Sequence, residues 1–222
     1  MFNILKGLSQ LMKTTYYQHT EEKINVISHF IGLILSIAAL VLLVIKSSYT
    51  GKPYYIVGFS VFGLSLVILY LASTLYHSTK DRKTRFKLNI FDHSAIYILI
   101  AGSYTPFTLV TLKGTIGWVL FGVVWGIALI GVIYKIFFFG KHYDWISTVL
   151  YVLMGWLVIF AIKPLFNNLS VPGIVWLVLG GLFYTVGALF YMREKMKFNH
   201  AIFHIFVLLG SFSHFVSIYF FI

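Results

Sequence analysis

Long unbroken apolar runs alternate with short polar breaks along this chain. Seven runs, at about 24–45, 54–76, 89–111, 115–139, 144–163, 172–192 and 200–222, each approach or exceed the ~20 residues that a bilayer-spanning helix needs. The runs are continuous, so they predict helices and not the alternating strands of a transmembrane barrel. The breaks leave no room for a separate soluble domain. The pattern therefore predicts an all-α fold, a seven-transmembrane helix bundle over residues 21–222. Ahead of it, Phe2, Leu5, Leu8 and Met12 recur at helical spacing. Residues 1–20 read either as an interfacial helix or as a frayed tail.

Composition agrees with a membrane protein. The chain is 59% hydrophobic and 10% charged, where a soluble domain carries roughly 25% charged residues. A net charge of +11 raises the question of a nucleic-acid partner, but the placement of the charge answers it. With the N-terminus inside, the inner segments hold Lys6, Lys13, Lys23, Lys80, Arg82, Lys83, Arg85, Lys87, Lys135, Lys141, Arg193, Lys195 and Lys197, and the outer loops hold only Lys46, Lys52, Lys113 and Lys163. This is the positive-inside asymmetry. It predicts a cytoplasmic N-terminus and an extracellular C-terminus, and it explains the basic balance without a polyanion. The first run is long enough to span and has no A-x-A-like site after it, so no cleavable signal peptide is expected. With no cysteine present, disulfides and thiolate ligands are excluded, and any metal must use His, Asp, Glu or water.

The polar residues inside the runs carry the chemistry. In the first, Glu22, Asn25 and His29 fall on one helical face, which suggests capping near the headgroups, with His29 as packing or as support to a site. The second ends in Ser73-x-x-x-His77. The third holds Asp92 beside His93, whose side chains diverge by ~100°, and carries Pro106, which predicts a kink. Asp92 is the one acidic residue lying well inside a run, and an ionisable group there is a functional candidate by default. The fourth run has Gly117, Gly122, Gly126 and Gly131, a small-residue stripe suited to close helix packing. Its Trp residues, with those of later runs, read as interface anchors or packing. Asp144 suits a helix cap. His19 and His142 read as interfacial. The last run opens with His200-x-x-x-His204, two imidazoles stacked on one helix face.

Orientation turns these scattered residues into one layer. The second run ends inside, and the third and seventh begin inside. Ser73, His77, Asp92, His200 and His204 then share a depth near the cytoplasmic face. Three imidazoles with one open position form the coordination pattern of a catalytic zinc ion, Zn2+ being preferred to other imidazole-binding metals. Asp92 is expected to hold the bound water or to act as general base. Ser73 is expected to donate a hydrogen bond to a substrate or its developing oxyanion. His214 lies ~15 Å of helical rise beyond His204, so it is expected to be a separate buried polar group.

These motifs, Glu22-x-x-Asn25-x-x-x-His29-x-x-Gly32, Ser73-x-x-x-His77, Asp92 and His200-x-x-x-His204, resemble the motif set of the hemolysin III branch of the progestin and adipoQ receptor family, from about residue 20 to the end. The resemblance implies seven helices with a cytoplasmic N-terminus and zinc on His77, His200 and His204. It also implies Asp92 near the metal-bound water, with Ser73 close by in a polar role. Similarity to adiponectin receptors and, more distantly, to alkaline ceramidases implies hydrolysis of a lipid amide, and a zinc-dependent hydrolase of a lipid amide or ester is expected. The compact loops resemble bacterial members linked to membrane lipid homeostasis. A multi-pass protein of the cell membrane is expected, with the basic loop 80–87 suited to an anionic headgroup. Two other readings stand beside this one: a pore-forming cytolysin, and a receptor or sensor with a structural zinc.

Overall fold

A computed structural model describes residues 16–138 and 144–222, except for the side chains of Phe138 and Asp144. Residues 1–15, His142 and the Asp144 cap fall outside that description. Seven helices are long and apolar enough to cross a membrane: α1 (His19–Thr50), α2 (Pro53–Ser78), α3 (Arg82–Leu112), α4 (Gly114–Phe137), α5 (Trp145–Asn168), α6 (Val171–Tyr191) and α7 (Asn199–Phe221). Among the described residues every regular element is helical. Neighbours in sequence pack side by side, and α7 returns beside α1 to close the bundle.

Side chains on the outer faces match a hydrocarbon solvent. Ile34, Leu35, Ile130, Phe137 and Phe160 are all exposed, an arrangement suited to lipid contact because lipid is as apolar as they are. The centre of the bundle is α3, with 83% of its most apolar window buried. Its Tyr97, with Phe59, Phe62, Leu66, Val124 and Met154 of neighbouring helices, belongs to the core.

The ends of the helices follow from local chemistry. Gly51 adopts φ 63° and its N–H bonds the Ser48 carbonyl, stopping α1, and Pro53 starts α2. Glycine enters this left-handed conformation without a Cβ penalty. Asp81 accepts the Thr84 N–H at 2.9 Å and caps α3. That bond holds its carboxyl below the usual range.

α3 starts at Arg82, about two turns earlier than the apolar run suggested. The basic stretch 82–87 is therefore helix and not loop. Hydropathy marks where a helix enters lipid, not where its backbone begins. At the other end, Pro106 is followed by a π-helical stretch, Phe107–Leu112. The wider turn is one way that a helix accommodates the missing proline N–H.

α5 carries a 3-10 stretch, Trp156–Ala161. Its cause is Tyr104 of α3. The Tyr104 hydroxyl donates to the Gly155 carbonyl at 2.7 Å and accepts from the Val158 N–H at 2.9 Å. A side chain inserted into the backbone ladder reshapes the helix there.

Candidate metal centre

Three elements build the centre. α2 delivers His77 in its last turn. α7 delivers His200 and His204 on one face of its first two turns. The entry into α7 is a tight reversal: Phe198 takes a left-handed conformation, φ 58°, and the Asn199 side chain donates to the Tyr191 carbonyl at 3.2 Å. One potential ligand atom from each of His77, His200 and His204 lies within 4.8 Å of the others, and all three residues are buried. The Nε2 atoms of His77 and His200 are 3.1 Å apart.

The outer nitrogens explain why the inner ones converge. His77 Nδ1 pairs with Glu22 Oε2 at 2.7 Å. His200 Nδ1 pairs with the Tyr17 hydroxyl at 2.9 Å. His204 Nδ1 faces the Asn25 carbonyl at 3.3 Å and the Ser28 hydroxyl at 3.4 Å. Each ring is thus anchored by Nδ1 to α1 or the residues just before it, leaving Nε2 for a shared point. A histidine ligand ordinarily donates its second nitrogen in this manner to a carboxylate, carbonyl or hydroxyl, which fixes its tautomer.

Glu22 also pairs with Arg85 of α3. Arg85 is 2% exposed and donates to the carbonyls of Tyr76 at 3.2 Å and Thr79 at 3.1 Å. It ties the end of α2 to Glu22, and its guanidinium lies 4.5 Å from the ring centres of Tyr16 and Tyr76. This corrects the expectation that all of 80–87 presents charge to a headgroup, because Arg85 points inward. Tyr17 also stacks on the His200 ring, with 4.5 Å between ring centres, and burial raises its hydroxyl pKa well above the ordinary value.

His29 stacks on His204, 3.5 Å between ring centres and 9° from parallel. Its Nδ1 lies 2.7 Å from Ser73 Oγ. Asp92 faces the same Ser73 hydroxyl from α3. His29, Ser73 and Asp92 form a polar chain beside the triad, and all three line a cavity of about 180 Å³ that His200 and His204 also line. His93, expected to diverge from Asp92, lines that cavity as well. Its Nε2 lies 3.4 Å from the Tyr191 hydroxyl.

The rest of the cavity wall is chiefly apolar, with Leu69, Ile100, Leu177, Phe203 and Val207 among its residues. Ile159 and Ile162 of α5 and Val178 of α6 line it and are also exposed on the outer surface. The cavity therefore meets the lipid-facing surface between α5 and α6.

Sequence reasoning missed Tyr17, Ser28 and Arg85. Nothing in the spacing of Tyr17 marks it, since it precedes the first apolar run. Arg85 was hidden among like charges.

A helical membrane protein with a buried three-histidine cluster opening onto an apolar cavity is the class that fold and site define. Residues 17–215 match the family described as Haemolysin-III related. The chain belongs to that family, the hemolysin III branch of the progestin and adipoQ receptors. It is 50% identical over 202 residues to Hemolysin-3 of Bacillus cereus, covering 91% of this chain and 92% of the relative. It is 51% identical over 201 residues to the Hemolysin-3 homolog of Bacillus subtilis (strain 168), covering 90% and 94%. A more distant similarity, 27% over 165 residues, links it to the human monocyte to macrophage differentiation factor, covering 72% and 68%.

Proposed function

We propose that the protein is a zinc-dependent hydrolase of a membrane lipid amide or ester, resident in the cell membrane and serving lipid homeostasis. The observation that carries this reading is the meeting of three histidine nitrogens beside an apolar cavity that also holds a carboxylate and a hydroxyl. The donor set fits zinc: three neutral imidazoles, each braced at Nδ1 by an oxygen. His77, His200 and His204 would hold the ion. When bound there, zinc would supply a Lewis acid and lower the pKa of a coordinated water to about 7.

The chain's own groups do the remaining work. Asp92 accepts a proton as general base. Ser73, bridging His29 and Asp92, holds that carboxylate in place. This arrangement supports a positioning role for Ser73 over the carbonyl-donor role expected from spacing. The apolar wall takes the acyl chain, which reaches it from the bilayer between α5 and α6. Glu22, Asn25 and Tyr17 keep the imidazoles in register.

Turnover of N-acyl and O-acyl lipids by the purified protein in proteoliposomes tests this. Asp92→Asn should retain zinc and lose about 10²-fold or more in rate. Full turnover in that variant would reject Asp92 as the base. A second reading, a pore-forming cytolysin, rests on the name borne by the Bacillus relatives. Dye leakage from vesicles that persists after chelation would favour it. Stoichiometric zinc without turnover of any lipid would favour the third, a receptor or sensor in which the zinc is structural.

A further inference from the structure

His77 and His200 stand at helix ends that border water. His77 is the last residue but one of α2, and His200 is the second of α7. Around them Tyr16, Gln18, Ser78, Lys80 and residues 192–198 are all exposed. Yet the His77 side chain is 0% exposed and His200 is 4% exposed. The Tyr17 ring supplies part of that cover. It stacks on His200, and its centre lies 5.9 Å from that of the His77 ring. Tyr17 itself is half-buried, so it stands between the two imidazoles and the exposed residues on either side of it.

The segment that carries this ring differs from its surroundings. Tyr76 and Tyr191 also meet the His77 and His200 rings, at 4.6 and 5.6 Å between centres, but they belong to the spanning helices α2 and α6. Residues 16–18 lie outside any helix, and Gln18 enters α1 without a side-chain cap. Side chains hold this strap down. The Tyr17 N–H donates to Glu22 Oε1 at 3.2 Å, its hydroxyl pairs with His200 Nδ1, and the Tyr16 ring lies against the Arg85 guanidinium. Gln18 is already non-helical, at φ −57° and ψ 147°. Rotation there would release all three contacts without unwinding a turn of α1.

A buried metal site needs a route for the ion. Tyr17 and His77 take no part in the wall of the apolar cavity, which His200 and His204 line. A divalent cation does not reach the triad from lipid through that wall, because a charge leaving water without partners meets a prohibitive cost. Water at the face where α2 ends and α7 begins is the remaining source, and Tyr17 stands on that side. We propose that residues 16–18 form a hinged strap with Tyr17 as its door, closed in this structure, through which zinc enters and leaves the triad. The inference rests on the triad being a zinc site and requires no hydrolysis. A door and a brace make different kinetic demands. A brace that only steadies His200 changes how fast the ion leaves. A door limits capture and release alike, by the fraction of time that it stands open.

The test follows zinc capture by the metal-stripped full chain in nanodiscs, and zinc loss to excess chelator, by stopped flow. A minor conformation is populated to about 0.1–10%, so Tyr17→Ala should capture zinc at least about tenfold faster than the wild-type protein. Tyr17→Phe keeps the ring and loses the hydroxyl. It should capture zinc more slowly than the Ala variant, and release it faster than the wild-type protein for want of the His200 bond. Tyr16→Cys with Lys80→Cys, joined by a bismaleimide, pins the strap where the Tyr16 hydroxyl already reaches the Lys80 carbonyl. That tether should slow capture and release together, and it carries the test alone should the Ala variant fail to melt cooperatively. Equal capture by the wild-type and Ala proteins, or rates unchanged by the tether, would overturn the door while leaving the zinc site in place. No zinc uptake by any form would remove the site and the door together, so the two failures are told apart.

Discussion

Glu22 is the residue on which most of the inner polar layer depends. One carboxylate oxygen holds His77 and the other meets Arg85. Glu22→Ala removes the carboxylate that faces the buried Arg85 guanidinium, and breaking a buried pair from one side is costly. The variant should lose about 3 kcal/mol of stability and bind zinc about 10–100-fold more weakly. Thermal melting and metal titration check both. Glu22→Gln, whose amide oxygen can still accept from Arg85 but whose amide nitrogen would face His77 Nδ1, should lose less stability than the Ala variant and still bind zinc more weakly. The spacing of Glu22, Asn25 and His29 made their common face legible. Their partners were not, because which neighbour that face meets is decided by packing between helices. The triad itself was legible because i, i+4 geometry and a shared depth constrain it from two directions. Arg85 was illegible because a buried arginine and an exposed one look alike within a basic run.

At the scale of elements, α1 and the residues just before it brace all three histidines at Nδ1, although the histidines belong to α2 and α7. The first helix is therefore part of the site, beyond its role as a span. Its 32 residues extend to about 48 Å, more than the ~30 Å hydrocarbon core, which lets its N-terminal turns stand at the edge where the triad lies. The glycine stripe of α4 behaves otherwise than its spacing suggested. A Cβ at Gly131 would lie 2.5 Å from the Tyr97 ring and one at Gly117 would strike the Thr108 carbonyl, while Gly122 and Gly126 have nothing within 4 Å. Sequence shows which residues share a face, but not whether that face meets a helix or lipid. Gly131→Leu should destabilise the protein by about 1–3 kcal/mol. Gly122→Leu should leave the melting temperature near that of the wild-type protein. Equal losses at both positions would show that the stripe packs along its whole length.

For the whole molecule, the account requires the triad to lie near the inner face, and orientation is where that is tested. The absence of cysteine makes labelling clean. A cysteine at Lys80, between α2 and α3, should react with an impermeant maleimide only from the cytoplasmic side, and one at Lys113, between α3 and α4, only from outside. The reverse pattern would move the site to the outer leaflet. The central claim, that His77, His200 and His204 together hold one zinc ion, is tested most directly by elemental analysis of the protein purified without added metal. About one zinc per chain is predicted for the wild-type protein, and none for His204→Ala at matched folding. Zinc retained in full by that variant, or no metal bound by the wild-type protein even after zinc is supplied, would contradict it.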